Sequence, residues 1–183
     1  MEFFDFLLSF EHYLPILIQQ YGLWIYALLF LIIFCETAFV FMFFLPGDSL
    51  LLAVGALCST IPMMNLGFII ILLSIAATLG YMVNYHIGRR MGVRIFEIKS
   101  RLIKHEHLLK THDYFKRHGA LTILVARFIP FVRSFAPFAA GSSGMNYSVF
   151  SLYNIVGAFI WIALLVTAGY LLGHTVMFIG DIE

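Results

Sequence analysis

Runs of apolar residues divide the chain, and the places where they stop predict its elements. Five runs cover most of the length: 16–45, 47–58, 66–88, 119–145 and 147–173. The runs 66–88 and 147–173 exceed the roughly 20 residues that a helix needs to cross the apolar core of a bilayer, whereas 47–58 has about half of that length. The pattern therefore predicts an all-α integral membrane protein that folds as a small helical bundle.

Helix breakers interrupt an apolar run in each half of the chain. Pro46 and Gly47 do so in the first half, and Pro130 and Pro137 in the second. A backbone break at membrane depth leaves N–H and C=O groups without partners, so breaks occur where protein or a water-filled cavity covers them. Paired broken segments are typical of half-helices that meet near the midplane of a transporter. We therefore predict two re-entrant helical hairpins, within 16–58 and 119–145, beside two full-length transmembrane helices.

Composition supports this interpretation and adds an orientation. Of the 183 residues 62% are hydrophobic and 11% are charged, and no polar stretch is long enough for a second domain, so we predict a single domain, 1–183. All 11 Lys and Arg residues lie between Arg89 and Arg133. The positive-inside rule then places 89–118 in the cytoplasm, and the acidic segment 1–15 is predicted to be an interfacial helix.

The segment 89–118 allows two interpretations. Its apolar residues recur at helical spacing among basic ones, which indicates an amphipathic helix against anionic head groups, but a solvated loop that only sets the topology fits equally well. The histidines of this segment match no compact metal site, so we expect no metal and no cofactor. Nothing in the sequence indicates a nucleic-acid partner, and a homodimer stays open.

Four charged residues lie within or beside the broken runs: Glu36, Asp48, Arg127 and Arg133. One ionised side chain at the centre of a membrane helix costs about 2.5 to 3.5 kcal/mol even on mild scales, so we expect the acids and bases to pair. The alternative is purely structural: the pairs hold the hairpins together, with Asp48 as the N-cap of a helix over 49–58. Because buried ion pairs stabilise poorly, a functional role is the better hypothesis.

The spacing leaves the pairing of these charges open. In one straight helix Glu36 would stand about 18 Å from Asp48. Either the helix ends well before Pro46, or Glu36 pairs with an arginine at a different depth from Asp48. Between Arg127 and Arg133, Pro130 removes helical hydrogen bonds and lets the two guanidinium groups converge.

The chain contains the motifs FCET (34–37), FLPGDSLL (44–51), VNYHIGRRMG (83–92), ARFIPFVRSFAPFAAG (126–141), YNIVGAFIW (153–161) and AGYLLG (168–173). Together these motifs resemble the DedA family of bacterial inner-membrane proteins, over residues from about 10 to 174. The resemblance implies multi-pass insertion in the inner membrane and the paired re-entrant helices. It also implies a lipid carrier that flips undecaprenyl or another polyprenyl phosphate, often tied to the proton motive force.

The family's essential charged positions correspond to the same four residues. The resemblance implies that Arg127 and Arg133 bind phosphate and that Glu36 and Asp48 take part in proton coupling. This chain departs from the family at Tyr81, where an Asp is common after the glycine. Many members also continue into a further apolar helix, whereas this chain stops at Glu183.

Charge counting suggests a mechanism. With both acids ionised the four side chains sum to zero, so an incoming lipid phosphate would leave the site negative in a medium of low dielectric. Protonation of a carboxylate would restore neutrality and release the arginines to bind the phosphate. We therefore expect membrane lipid and protons as partners and no enzymatic activity. The alternatives in the same class are a general phospholipid scramblase and a proton-coupled transporter of small ions.

A different class of function follows from GSSG at 141–144, which has the form of the serine motif in intramembrane proteases. Ser143 would need a histidine, and the only later one is His174. Close helix packing explains the small residues more simply. A third class, a structural or assembly partner, would use the buried charges only to hold the fold.

Overall fold

The computed structural model describes residues 24–40, 47–61, 64–97 and 121–180. Within these ranges the chain is helical and contains no strand, which confirms the all-α prediction for the described part. The helices, numbered here in chain order, are α1 (Trp24–Ala38), α2 (Gly47–Thr60), α3 (Leu66–Glu97), α4 (Leu121–Ala126), α5 (Pro130–Ser142) and α6 (Tyr147–Gly180).

Two of these helices are long and apolar enough to cross a membrane: α3 over Leu66–Met91 and α6 over Tyr147–Thr175. Helix α3 continues to Glu97, so the first part of the basic segment 89–118 is a helical extension rather than a loop. Helices α1 and α2 are apolar but shorter. The predicted interfacial helix 1–15 and the rest of the basic segment lie outside the described residues.

An asparagine side chain caps the N-terminus of each long helix. Asn65 Oδ1 accepts a hydrogen bond from the Phe68 backbone N–H at 3.0 Å, and Asn146 Oδ1 accepts one from Ser148 at 2.9 Å. Such N-caps satisfy N–H groups that have no partner within the helix. Helix α5 ends just before Gly144, whose φ of 73° is a left-handed conformation that glycine adopts readily.

Helix α1 runs in the same direction as α3. The Tyr26 ring meets the Phe68 ring edge to face at 5.3 Å between centroids. Near the other end of α1, Asn84 Nδ2 donates to the Thr37 carbonyl at 3.3 Å. An early residue of α1 thus contacts an early residue of α3, and a late residue contacts a late one, so the two helices are parallel.

Helix α6 runs opposite to α3, and α2 runs parallel to α6. Tyr85 stacks on Phe150 at 4.5 Å, whereas Asn154, further along α6, donates to the carbonyl of Thr78, earlier in α3. Between α2 and α6 the backbones touch at glycines, because a Cβ at Gly169 would overlap the Leu52 carbonyl. Small residues allow this close approach of membrane helices. Helices α1 and α2 are thus antiparallel.

The chain breaks between α4 and α5, directly before Pro130. Ile129 has an extended backbone (φ −112°, ψ 108°), as the residue before a proline prefers, and Pro130 is the first helical residue of α5. The second break predicted at Pro137 is wrong, since α5 runs through this position to Ser142. Prolines inside membrane helices are tolerated where neighbouring groups compensate for the lost hydrogen bond, and Pro137 is buried against the protein.

The buried core has two parts. The first joins α1, α2, α3 and α6 and includes Leu29, Ile33, Leu51, Val54, Leu73, Trp161, Ile162 and Val166. The second surrounds the α4–α5 break and contains Tyr81, Tyr85, Ile123, Ala126, Ala136, Ala140 and Phe150. Arg133 contacts the Trp161 ring of the first part and Arg127 the Tyr81 ring of the second, so the two arginines lie where the parts of the core meet.

Candidate functional site

The end of α1 and the start of α2 come together at Glu36 and Gly47. Glu36 lies in the last turn of α1 and is only 2% exposed. A Cβ at Gly47, the first residue of α2, would overlap the Glu36 carboxylate in its present position, so glycine lets the carboxylate lie directly against the start of α2. Because α1 ends at Ala38, well before Pro46, Glu36 and Asp48 share one site rather than standing at two depths.

Arg133 binds both of these acids. Its Nη1 donates to Asp48 Oδ1 at 2.6 Å, and its Nη2 donates to Glu36 Oε1. The guanidinium carbon lies 5.2 Å from the centroid of the Trp161 ring, within reach of a cation–π contact. Asp48 is in the first turn of α2, which begins at Gly47, so the predicted role as N-cap of a helix over 49–58 is wrong. One guanidinium therefore connects α1, α2 and α5.

Arg127 has a different environment. It is buried, donates from Nη2 to Asn154 Oδ1, and stacks over the Tyr81 ring with 3.8 Å between the guanidinium carbon and the ring centroid. Asn154 is oriented in turn by its Nδ2, which donates to the Thr78 carbonyl at 3.0 Å. In the described part of the chain, Arg127 contacts no carboxylate. The expectation that both arginines pair with acids therefore holds for Arg133 only.

Asn84 positions the two helices that carry the ion pair. Its Nδ2 donates to the Thr37 carbonyl on α1 at 3.3 Å and to the Ser134 carbonyl on α5 at 3.0 Å. Thr37 follows Glu36, and Ser134 follows Arg133, so the amide holds the neighbours of both charged residues. A buried amide with these two bonds fixes the separation of α1 and α5 at the site.

The charges of the site are unevenly distributed. Glu36, Asp48 and Arg133 together carry one negative charge when both acids are ionised, and Arg127 nearby restores neutrality. The Asp48 side chain is 42% exposed, whereas that of Glu36 is 2% exposed. Asp48 is therefore open to the surface of the protein, while the enclosed carboxylate of Glu36 depends on Arg133.

Several buried polar atoms around this cluster have no hydrogen-bond partner among the described residues. They are Glu36 Oε2, Tyr81 Oη, Asn84 Oδ1 and Arg127 Nε. Buried polar atoms in proteins nearly always have a partner, provided by protein, water or ligand. The site therefore retains donors and acceptors for a polar group that enters it.

Tyr81, Asn84, Asn154 and Trp161 were not predicted as site residues. The signal available for the two asparagines was their position inside apolar runs, where polar side chains are rare and commonly functional. The aromatic residues gave no comparable signal in a chain with 20 Phe and 9 Tyr residues. Their role depends on which ring faces a guanidinium, and that is a property of the packed helices.

The protease interpretation does not fit the geometry. Ser143 directly follows α5, and its hydroxyl donates to the Ala140 carbonyl at 3.0 Å. His174 lies near the far end of α6, about 40 Å along the helix from Tyr147 at 1.5 Å per residue. Ser143 and His174 therefore cannot act on one substrate bond. Among the described residues no three His, Cys, Asp or Glu side chains are grouped to hold a metal ion.

Comparison with known proteins identifies the family. The VTT domain matches residues 45–171. The DedA protein of Escherichia coli K12 is 46% identical over 171 residues, covering 92% of this chain and 78% of the relative. The inner membrane protein YqjA of the same organism is 40% identical over 157 residues, covering 85% and 70%. No solved structure matches the chain. This chain belongs to the DedA family of membrane proteins, and its VTT domain contains Asp48, Arg127 and Arg133.

Proposed function

We propose that this protein is a lipid carrier of the inner membrane, which moves the phosphate head group of a polyprenyl phosphate across the bilayer in step with proton uptake. The observation that carries the proposal is the unequal pairing of two buried arginines: Arg133 is held by two carboxylates, and Arg127 contacts none in the described residues. The relative named as inner membrane protein YqjA supports the location.

The helix directions support re-entrant hairpins. Helix α1 runs parallel to α3 and ends beside Asn84, well inside the span Leu66–Met91, and α2 then runs in the opposite direction. We propose that α1 and α2 enter and leave the membrane on the side where α3 begins.

The second hairpin approaches from the other side. Helix α5 runs parallel to α3, because Ser134 pairs with Asn84 and Phe138 packs on Gly88. It therefore starts near the level of Glu36 and continues toward the end of α3 that carries Arg89 and Arg90. With this basic end in the cytoplasm, the two hairpins meet at Arg133 from opposite leaflets.

The charges suggest an order of events. Arg127 already has an unused donor, Nε, and no competing carboxylate among the described residues, so a lipid phosphate binds there first. The phosphate adds negative charge to a neutral group of four, which the low-dielectric interior opposes. Protonation of Glu36 removes one negative charge and frees Nη2 of Arg133 for the phosphate. Lipid binding and proton uptake are then linked.

The apolar part of the lipid does not need to enter this site. Phe39, three residues after Glu36, and Phe135, two residues after Arg133, are 42% and 52% exposed. Apolar side chains next to the site thus face the lipid phase, where a polyprenyl chain can remain while only the head group crosses. This process forms and breaks no covalent bond, so we propose a carrier rather than an enzyme.

Reconstitution in liposomes tests this function. Wild type, Arg133→Ala and Arg89→Ala would be compared for translocation of a labelled polyprenyl phosphate, with folded protein quantified by size-exclusion chromatography. We expect wild type and the exposed control Arg89→Ala to translocate the lipid and Arg133→Ala to fall to the protein-free background. Equal translocation by folded Arg133→Ala would remove the arginine from the mechanism.

The same liposomes distinguish the two related functions. A phospholipid scramblase would move labelled phosphatidylcholine as fast as polyprenyl phosphate, although phosphatidylcholine adds no net charge to the site. A proton-coupled transporter of small ions would carry protons with an ion gradient and no added lipid. We expect neither activity to approach the rate with polyprenyl phosphate.

A further inference from the structure

An apolar groove lies beside the charged site, between α1 and α3. Its cavity volume is about 470 Å³, and it is lined by Phe34, Leu79, Met82, Val83, His86, Ile87 and Arg90. The lining is almost entirely apolar, except at one end, where His86 and Arg90 lie. Neither the mechanism above nor the ion pairs of the site use these residues.

The groove lies where α3 extends past the end of α1. Phe34 is the only lining residue from α1, and the others recur along one face of α3 at intervals of three or four. Helix α1 ends at Ala38, close to where Thr37 meets Gly80 and Asn84. The next turns of α3, through Arg90, therefore extend past the helical part of α1.

Size decides which kind of occupant fits. From Leu79 to Arg90 the groove is about 16 Å long, which matches one leaflet of a hydrocarbon core of about 30 Å. A helix of this length and 10 Å diameter would fill on the order of 1,200 Å³. The cavity of 470 Å³ is less than half of that volume, and it is large enough for a single extended hydrocarbon chain.

Charge decides the chemistry of the head group. Arg90 stands at the end of the groove where α3 reaches the basic part of the sequence, and its side chain is exposed. A guanidinium binds phosphate oxygens through two parallel hydrogen bonds. Within about 16 Å of α3, the groove therefore offers an apolar surface for a hydrocarbon chain and, at one end, a cation for an anionic head group.

We propose that this groove is a binding site for one hydrocarbon chain of a phospholipid with an anionic head group, whose phosphate binds Arg90 and whose chain lies on Leu79, Val83 and Phe34. The occupant belongs to the leaflet at the basic end of α3. The site is separate from Arg127 and Arg133, and the proposal does not depend on translocation. The groove proposal can therefore be wrong while the proposed function is right, and the proposed function can be wrong while the groove binds lipid.

Lipid binding to the full chain, purified in detergent, tests the site. Phosphatidylglycerol with a photoreactive group in its acyl chain would be added, and labelled peptides would be mapped by mass spectrometry. We expect labelling concentrated on 79–90 and near Phe34. The exposed α6 positions Leu152, Ile155 and Phe159 serve as the reference for nonspecific lipid contact.

Two variants with matched controls separate the head group from the chain. Arg90→Gln should lower groove labelling by phosphatidylglycerol about fivefold to tenfold, since it loses a charge-assisted contact, and lower that by phosphatidylcholine less, because choline already neutralises the phosphate of that lipid. Arg89→Gln removes the same charge outside the groove lining and should have little effect. Val83→Trp fills the groove and should reduce labelling by both lipids, whereas Ile155→Trp on α6 should not.

Other occupants would produce different outcomes. Labelling spread equally over 79–90 and the α6 reference would overturn the proposal, as would equal losses in Arg89→Gln and Arg90→Gln. Competition by inorganic phosphate as strong as that by unlabelled phosphatidylglycerol would show an anion site without a chain site. No labelling of 79–90 in wild type, with a segment of the same chain cross-linked there instead, would also overturn it.

Discussion

Arg133 and Asp48 are 85 positions apart in the sequence, yet Arg133 Nη1 lies 2.6 Å from Asp48 Oδ1. The contact joins the start of α2 to α5. The second terminal nitrogen of the same guanidinium binds Glu36, at the end of α1. Arg133, which follows the break at Pro130, therefore binds the end of α1 and the start of α2, the two helix ends on either side of Pro46.

The first prediction concerns the stability of this triad. Arg133→Gln leaves two carboxylates without their cation, one of them buried, so the free energy of unfolding should fall by about 3 to 5 kcal/mol. Unfolding in mixed detergent micelles measures the change. The double variant Arg133→Gln with Glu36→Gln removes the buried unpaired charge and should recover part of the loss. A loss below about 1 kcal/mol in the single variant would contradict the ion pair.

The second prediction concerns Gly47. A methyl group there would overlap the Glu36 carboxylate, so Gly47→Ala should displace this carboxylate from Arg133 and lower the free energy of unfolding by about 1 to 3 kcal/mol. Gly67→Ala is the matched control, since a Cβ at Gly67 meets only Asn65 Oδ1, at 3.4 Å. This control should be neutral or stabilising, by up to about 1 kcal/mol from helix propensity. Equal effects of the two substitutions would show that Gly47 needs no close approach.

The third prediction concerns the phosphate site at Arg127. Asn154→Asp would give this arginine a carboxylate partner in place of the amide, with loss of the bond from Nδ2 to the Thr78 carbonyl. The same carboxylate would compete with the lipid phosphate, so translocation should fall at least tenfold. Asn154→Leu removes both hydrogen bonds and should lower the free energy of unfolding by about 1.5 to 3 kcal/mol. Full translocation by Asn154→Asp would exclude Arg127 as the first phosphate site.

Much of the helical architecture follows from the sequence, because the length of an apolar run reports directly on membrane spans. The long helices α3 and α6 and the short α2 match the runs 66–88, 147–173 and 47–58. The break at Pro137 was predicted wrongly, because a proline shows which hydrogen bond is lost and not whether its neighbours compensate. The sequence likewise does not show that α1 ends at Ala38, well ahead of Pro46.

The partners of the charged residues were less predictable than their presence. The cost of an unpaired charge indicates that Arg133 needs an acid, and it has two. The same rule misleads for Arg127, whose charge is accommodated by an amide and an aromatic ring. Which side chain faces a guanidinium depends on the relative directions of α3, α5 and α6. Residue spacing along one helix carries no information on those directions.

Proton-dependent transport in liposomes tests the central claim most directly, namely that Arg133 exchanges Glu36 for lipid phosphate. Glu36→Gln imitates the protonated acid and retains the Asp48 pair, and Arg89→Gln is the exposed control. Wild type and the control should translocate polyprenyl phosphate faster as the pH falls on the side that protonates Glu36, since protonation frees Arg133. Glu36→Gln should lose this pH dependence while it still binds the lipid. An unchanged pH dependence in folded Glu36→Gln would contradict the account.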